Sequence, residues 1–361
     1  MRPMSVLADR LAARTLELVN IPSESRSEDE IAAHVKSLVP ASFAPEYAAA
    51  DAFVWTSPRR ADTPLVVLAG HYDTVPAQEN VPGQIEAGAV HGLGASDMKG
   101  GIAVMLELAR ELDATGVEPV VDLALLAFGK EELPAEFSPL PALFDESRAV
   151  HDAELAILLE PTNNTIQAGC LGNLNARIVF GGVSGHSARP WDAENAIGKA
   201  LEGLRAYASI EPRPVEVGGL TFTEVASITQ IQGGIATNVI PDRVEANVNF
   251  RYAPDRSPAS ADAYLRSLLP EGAIYEHAGD SPPARVVTDS PLVQRLRAAG
   301  DLTVEPKQAW TNVADFTSRG IDAVNFGPGA TRYAHRRDEQ VEISALVRAF
   351  ESLWHFLTGT V

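Results

Sequence analysis

Residues 64–76 read PLVVLAGHYDTVP, and this stretch decides the fold class. Its first seven residues form an almost continuous apolar run, which is typical of a strand buried on both faces. Similar runs occur at residues 120–127 (VVDLALLA) and 154–159 (ELAILL), and a helical pattern at residues 101–112 lies between the first two runs. Strands of this kind that alternate with helices predict an α/β sheet covered on both faces.

The pattern changes after Cys170. Strand patterns at residues 175–180, 223–232 and 244–251 accompany a helical pattern at residues 193–208. The order strand, helix, strand, strand predicts a small α+β insertion.

The length of 361 residues suits two domains. Helix and strand signals like those of the first half resume near Ala284 and continue to the last helical pattern at residues 343–357. We therefore predict a discontinuous first domain, residues 1–172 and 280–361, interrupted by a second domain at residues 173–279.

Composition excludes several classes of function. A net charge of −19 argues against nucleic-acid binding, which depends on a basic surface. No apolar run approaches the ~20 residues that a membrane-spanning helix needs. The first twenty residues carry Asp9, Arg10 and Arg14 among their apolar positions, which predicts an amphipathic helix, no signal peptide and a cytoplasmic location. Because Cys170 is the only cysteine, any metal must be held by His, Asp and Glu.

Ionisable residues follow each apolar strand, and ligands of α/β sheets gather at the carboxyl ends of strands. His71 and Asp73 follow the first strand, and side chains two residues apart in an extended chain point the same way. A histidine that binds metal through one nitrogen and meets a carboxylate through the other fits this pair. On these two residues alone, a purely structural histidine is the favoured interpretation.

The other candidates have similar alternatives. Asp97 precedes the first predicted helix and could cap it or bridge two metals. Glu131 and Glu132 follow the second strand; neighbours in an extended chain project to opposite sides, so one could bind metal while the other acts as general base, or both could face solvent. Glu160 ends the third strand and His335 precedes the last helix, and a surface position is the alternative for each.

The succession GHYDTVP, GASDMKGG, KEE, LLEPT, GHSARP and AHRRDE resembles the co-catalytic dizinc hydrolases of the M20 peptidase family. The resemblance spans about residues 8–357. It implies an α/β fold: a mixed-sheet, zinc-peptidase-like catalytic domain with an inserted, smaller α+β domain that serves as a lid and dimerises. The chain departs from the family pattern at Tyr72, where leucine is common, and at residues 133–137.

The resemblance also implies the site. Two divalent cations, zinc or alternatively cobalt, would be bound by five side chains, with Asp97 as the bridge: His71, Asp97, Glu132, Glu160 and His335.

Catalytic roles follow from the same resemblance. Glu131 would be the general base and Asp73 would orient His71. His186 would reach the partner subunit's site in a homodimer and donate a hydrogen bond to the oxyanion.

Within the family, residues 157–197 look most like succinyl-diaminopimelate desuccinylases of actinobacterial type. This implies that Asn238 and Arg251 bind a substrate carboxylate and that the backbone of Gly327 lies beside the amide. The small-molecule substrate would be N-succinyl-LL-2,6-diaminopimelate, hydrolysed in lysine biosynthesis. The alternatives are another M20 deacylase (acetylornithine deacetylase, aminoacylase) or carboxypeptidase, and a non-catalytic binding protein.

Overall fold

The structure is a computed structural model that describes residues 4–49 and 51–360. It divides into two compact units. The first unit comprises Met1–Ala168, Val287–Glu305 and Asp315–Val361, and the second comprises Gly169–Val286 and Pro306–Ala314.

This division differs from the predicted one at its edges. The second unit extends beyond residues 173–279 on both sides, because Cys170 and Ala284 pair as an antiparallel bridge within it. The segment Pro306–Ala314 also packs with the second unit, where the indole Nε1 of Trp310 donates to the carbonyl of Pro282 at 3.0 Å. That segment has no strand or helix periodicity, so its sequence carries no signal for the unit it joins.

The elements alternate along the chain as the apolar patterns predict. The helices are α1 (Met4–Val19), α2 (Asp29–Leu38), α3 (Gly100–Thr115), α4 (Leu140–Glu146), α5 (Arg148–His151), α6 (Ala196–Gly203), α7 (Arg205–Ala208), α8 (Pro258–Ser267), α9 (Pro291–Gly300), α10 (Val313–Ser318) and α11 (Ile343–Thr358). The strands are β1 (Ala44–Ala48), β2 (Ala52–Thr56), β3 (Leu65–His71), β4 (Gln84–Glu86), β5 (Ala89–His91), β6 (Asp122–Phe128), β7 (Leu155–Leu158), β8 (Ile166–Ala168), β9 (Gly172–Gly181), β10 (Gly185–His186), β11 (Arg213–Val217), β12 (Leu220–Gly233), β13 (Val239–Ile240), β14 (Arg243–Tyr252), β15 (Ala273–Ser281), β16 (Val304–Pro306), β17 (Asp322–Asn325) and β18 (Gln340–Glu342).

A mixed sheet forms the centre of the first unit, with the strand order β1-β2-β6-β3-β7-β17-β8-β16. β3 runs parallel to β6 and β7, and β17 runs parallel to β7, whereas β2 pairs antiparallel with β6. Every residue of β3 and β6 is buried, so both faces of these strands are covered. The predicted α/β class and the three predicted central strands are confirmed. The parallel strands end at one edge, where the ionisable residues follow.

The amphipathic first helix is also confirmed. Leu7, Leu11 and Leu18 bury one side of α1, and the guanidinium Nε of Arg14 donates to Glu107 of α3 at 2.9 Å. Apolar burial on one face and charge pairing beside it explain why this charged segment folds onto the unit. No helix in residues 4–49 and 51–360 is both long enough and apolar enough to cross a membrane.

The second unit contains an antiparallel sheet with the order β11-β12-β14-β9-β15. One face carries the apolar residues of a core with α6, α7 and α8, among them Leu174, Ile178, Phe180, Val248 and Phe250. Because side chains alternate along a strand, the intervening residues of β9 and β14 lie on the opposite face. That opposite face is polar, and it carries Asn173, Asn175, Asn247, Asn249 and Arg251.

Candidate active site

His71 is the last residue of β3 and is fully buried. Its Nδ1 lies 3.1 Å from the backbone oxygen of Asp73 and 3.4 Å from Oδ1 of the same residue, and its Nε2 lies 3.2 Å from Oδ1 of Asp97. Burial lowers the pKa of His71, but the hydrogen bonds with Asp73 and Asp97 and the charges of Glu131 and Asp73 together raise that pKa well above its usual range. Asp73 therefore occupies Nδ1, and Nε2 is directed at Asp97.

The carboxylate of Asp73 also holds the turn that follows β6. Its Oδ1 accepts the backbone N–H of Glu131 at 3.1 Å, and its Oδ2 accepts that of Glu132 at 3.2 Å. Ser25 donates its hydroxyl to Oδ2 at 2.6 Å. Burial raises the pKa of Asp73. The hydrogen bonds and charge of His71 and the hydrogen bond from Ser25 have the larger, opposite effect, so the pKa lies below its usual value. An ionised Asp73 thus fixes both a histidine and the two glutamates.

The two adjacent glutamates do not project to opposite sides, and that part of the sequence interpretation is wrong. β6 ends at Phe128, and Glu131 and Glu132 lie in a turn instead of an extended segment. One carboxylate oxygen from each, together with a ring nitrogen of His71, lie within 4.8 Å of one another. The alternation rule failed because it applies only to extended chain.

Asp97 lies between the two histidines. One of its carboxylate oxygens, Oδ1, is 3.2 Å from Nε2 of His71, and the other, Oδ2, is 3.7 Å from Nε2 of His335. Nε2 of His335 is also 2.9 Å from Oε1 of Glu132. The pKa of His335 rises to about 9, chiefly through this hydrogen bond with Glu132. Helix α3 begins at Gly100 and its N-cap position is Lys99, so Asp97 is not the N-cap residue.

Glu160 follows β7 and lies beside Gly327. A ligand-type oxygen of Glu160, one of Asp97 and a nitrogen of His71 lie within 4.8 Å of one another. A Cβ on Gly327 would lie 2.3 Å from the backbone oxygen of Leu159 and 2.5 Å from that of Glu160. Only glycine allows this close approach, which packs the Gly327 backbone against the segment that carries Glu160.

Three residues predicted to act in substrate binding or catalysis belong to the second unit: His186, Asn238 and Arg251. Short strands β10 and β13 pair His186 with Val239, and Ser187 donates its N–H to the carbonyl of Asn238 at 3.0 Å. His186 is exposed, and its Nδ1 accepts the N–H of Ala188 at 3.1 Å. Nε2 is then the ring nitrogen that can carry the proton and donate it.

Arg251 is partly buried on the polar sheet face, and its Nε donates to Oδ1 of Asn249 at 3.1 Å. Asn249 in turn donates through Nδ2 to Oδ1 of Asn173 at 2.7 Å and Oδ1 of Asn175 at 3.0 Å. Neutral amides therefore hold this guanidinium.

Glu339 is a residue to which sequence reasoning gave no role. It lies in the motif AHRRDE and is only 2% exposed. Its carboxylate accepts three backbone N–H groups at 3.0 Å each, from Gly94, Ser96 and Asp97. An acidic residue four positions after a candidate ligand was a signal in the sequence, but nothing in its neighbours predicted burial.

The donors of the first unit suit divalent metal ions. They form overlapping groups of imidazole nitrogens and carboxylate oxygens, the ligands that zinc and cobalt take in sites without cysteine. Burial raises the pKa of Glu131 well above its usual range; the charge of His71 opposes this, and the carboxylates of Glu160, Glu132 and Asp97 add to it. Bound cations would relieve this repulsion between carboxylates. The residues present therefore fit a pair of divalent cations.

Comparisons with known proteins show the family of the chain. Residues 67–358 match the family model described as peptidase family M20/M25/M40. The chain is 37% identical over 347 residues to a putative succinyl-diaminopimelate desuccinylase of Mycobacterium tuberculosis, covering 96% of this chain and 97% of the relative. It is 36% identical over 355 residues to a succinyl-diaminopimelate desuccinylase of Corynebacterium glutamicum, covering 95% of each.

Solved structures share the fold at low identity. The aminopeptidase PepT of Bacillus cereus aligns with a TM-score of 0.77 at 18% identity, over 98% of both chains. A dinuclear metal binding peptidase of the M20 family from Bacillus subtilis aligns with a TM-score of 0.66 at 16% identity, also over 98% of both chains. The fold and the site define a metallohydrolase-like α/β protein. The chain belongs to peptidase family M20/M25/M40.

Proposed function

We propose that the chain is a dinuclear, metal-dependent amidohydrolase. The observation that supports this best is Asp97, whose two carboxylate oxygens face two different histidines. In this proposal His71, Asp97 and Glu160 hold one cation, and Asp97, Glu132 and His335 hold the other. Two bound cations would supply Lewis-acid chemistry that lowers the pKa of water and polarises an amide carbonyl.

The chain's own residues would move the protons. Glu131, the ionisable neighbour not used as a ligand, would take a proton from water as the water oxygen attacks the amide carbon. It would deliver that proton to the nitrogen as the C–N bond breaks, so that a carboxylic acid and a free amine are the products. Asp73 would keep Nδ1 of His71 occupied and hold Glu131 through its backbone N–H.

The first prediction concerns metal. We expect about two divalent ions per chain, complete loss of activity after chelation, and recovery when zinc or cobalt is added, because every proposed ligand is a His, Asp or Glu. Metal analysis of the purified protein and assays before and after demetallation measure this. Full activity in exhaustively demetallated protein would disprove the proposal.

The substrate we propose is N-succinyl-LL-2,6-diaminopimelate, hydrolysed to succinate and LL-2,6-diaminopimelate in lysine biosynthesis. The names of the two relatives at 36–37% identity support this, because each alignment covers at least 95% of both chains. A hydrolysis screen of this compound, N-acetylornithine and small N-acyl amino acids with zinc-loaded protein tests it. A cytoplasmic location stays a prediction.

Arg251 supports a substrate with a carboxylate on its acyl group. The guanidinium is partly buried, and its hydrogen bond goes to the neutral amide of Asn249. Among the described residues no acidic side chain forms an ion pair with it. A desolvated cation without an anion favours a charged ligand, and a guanidinium can bind a carboxylate through two parallel hydrogen bonds.

The second prediction tests this role. Arg251→Lys should raise KM for the succinylated substrate about 10-fold to 150-fold, the effect of about 1.5–3 kcal/mol from one charge-assisted hydrogen bond. KM for an acetylated substrate should change much less. Arg177→Lys is the matched control, because Arg177 of β9 lies on the same face of the sheet as Arg251 of β14 but already pairs with Glu245 and Glu276. Equal effects of Arg251→Lys on both substrates would contradict succinyl recognition by this residue.

The second unit would serve as lid and dimerisation domain. Several of its large apolar side chains are exposed: Val183, Ile197, Leu201, Ile231 and Ile235. Strand β11 pairs with β12 only over Leu220–Glu224, so in the described chain the edge of β12 from there to Gly233 is open on that side. An open strand edge beside exposed apolar residues favours association with a second copy. We propose a homodimer in which His186 and Asn238 serve the partner's site.

A further inference from the structure

Glu339 joins two segments that carry candidate metal ligands. It follows His335 by four residues, and its carboxylate is buried against the segment that leads to Asp97. Oε1 accepts the N–H groups of Ser96 and Asp97, and Oε2 accepts that of Gly94. The backbone oxygen of Glu339 accepts a fourth N–H, from Gly92, at 3.0 Å.

The segment at residues 92–97 depends on these bonds. Gly94 has φ +77°, and Asp97 has φ −124° and ψ 91°, so the π-helical turn at Ala95–Lys99 is irregular at Asp97. Buried backbone N–H groups need acceptors, and regular secondary structure supplies none for Ser96 and Asp97. The Glu339 carboxylate supplies them and thereby fixes the backbone from which the Asp97 side chain projects.

The backbone around Glu339 itself is also held by hydrogen bonds. β18 pairs with β5, with Val341 opposite Val90, and the Gly92–Glu339 hydrogen bond continues this pairing. The N–H of Glu339 donates to the carbonyl of Arg336 at 3.2 Å, which closes a turn directly after His335. The same residue therefore bonds to both ligand-bearing segments.

Three backbone N–H groups bind the carboxylate of Glu339, and among the described residues it belongs to none of the groups that could hold a metal ion. We propose that Glu339 is the positioning residue of the metal centre, which sets the separation of Asp97 from His335 by clamping the Asp97 segment to the turn after His335. The two ligands are 3.7 Å apart, from Oδ2 to Nε2. This inference rests on the proposed metal-binding roles of Asp97 and His335.

Glu339→Gln tests the clamp. Glutamine has nearly the same shape but one acceptor oxygen, so its NH₂ group must face an N–H donor on one side. We expect amide hydrogen exchange at residues 92–97 of the metal-free protein to accelerate about 10-fold or more, while exchange in β3 and β6 stays unchanged. We also expect the second Co²⁺ to bind about 10-fold more weakly and the visible absorption spectrum of the Co²⁺-loaded protein to change.

Glu342→Gln is the matched control. Glu342 lies three residues further on and is exposed, and among the described residues its side chain accepts only a 3.5 Å hydrogen bond from the hydroxyl of Ser344. It should leave exchange, cobalt affinity and spectrum as in the wild type. If Glu339→Gln behaves like this control, the clamp is wrong.

Two further measurements distinguish a failure of the inference about Glu339 from a misfolded variant and from a failure of the proposed function. In wild-type protein the amides of Gly94, Ser96 and Asp97 should exchange as slowly as those of core strands; exchange as fast as in surface loops would overturn the inference without any variant. If the wild type fails to bind two Co²⁺ ions, the proposed function fails. If it binds two and Glu339→Gln binds them with the same affinity and spectrum, only the clamp fails.

Discussion

Replacing Glu131 with glutamine should abolish turnover while about two cations stay bound, whereas Glu132→Gln should lower the metal content. Glu132 lies 2.9 Å from Nε2 of His335 and belongs to the group with Asp97, so in the proposed site its loss removes a ligand. Glu131→Gln removes a proton acceptor, and general-base catalysis is worth ~10²–10⁴-fold. Metal content by mass spectrometry and kcat, measured on the same samples, give the two readouts.

This pair of variants is informative because the two carboxylates lie so close together. Oxygens of both glutamates lie within 4.8 Å of each other and of a His71 nitrogen, so position alone allows either to bind metal. Glu136→Gln, an exposed acid in the following segment, controls for the change of charge and should affect neither readout. The reverse pattern, with metal lost from Glu131→Gln and retained in Glu132→Gln, would exchange the two roles.

The central sheet was predictable from sequence because strands that are buried on both faces have continuous apolar sequences. β3, β6 and β7 are continuous apolar runs, and parallel strands end at a common edge, so the ionisable residues that follow them had to come close together. His71 and Glu160 come close together for this reason although 89 positions separate them (160 − 71), and Asp97 joins them from the segment before α3.

Features that depend on loop conformation were not predictable. The predicted directions of the Glu131 and Glu132 side chains were wrong because the strand ends three residues before Glu131 (131 − 128). Side chains in a turn do not alternate as they do in a strand. The role of Glu339 depends on a hydrogen-bond partner more than 240 residues earlier, at Gly94 (339 − 94 = 245). Nor could the pattern of β9 and β14 show that their asparagines bond to one another, since that requires the strand register.

His186→Ala should keep two metals and the fold but lose about 10²–10³-fold in kcat, the usual cost of removing an oxyanion donor. Its ring is exposed, and Nδ1 accepts the N–H of Ala188, so the proton on Nε2 is available to a substrate. His277→Ala is the control: it is an exposed histidine of the same unit whose ring bonds to Asp262 at 3.1 Å, outside the proposed site. It should leave kcat unchanged.

Mixing the inactive variants His186→Ala and Glu131→Gln should restore activity if His186 acts in the partner's site. A mixed dimer holds one site with an intact Glu131 from one chain and an intact His186 from the other. After full subunit exchange half of the dimers are mixed and one of their two sites works, so about a quarter of wild-type activity is expected. Native mass spectrometry of a mass-tagged chain confirms exchange. A confirmed mixed dimer without recovered activity would show that His186 acts within its own chain or takes no part in catalysis.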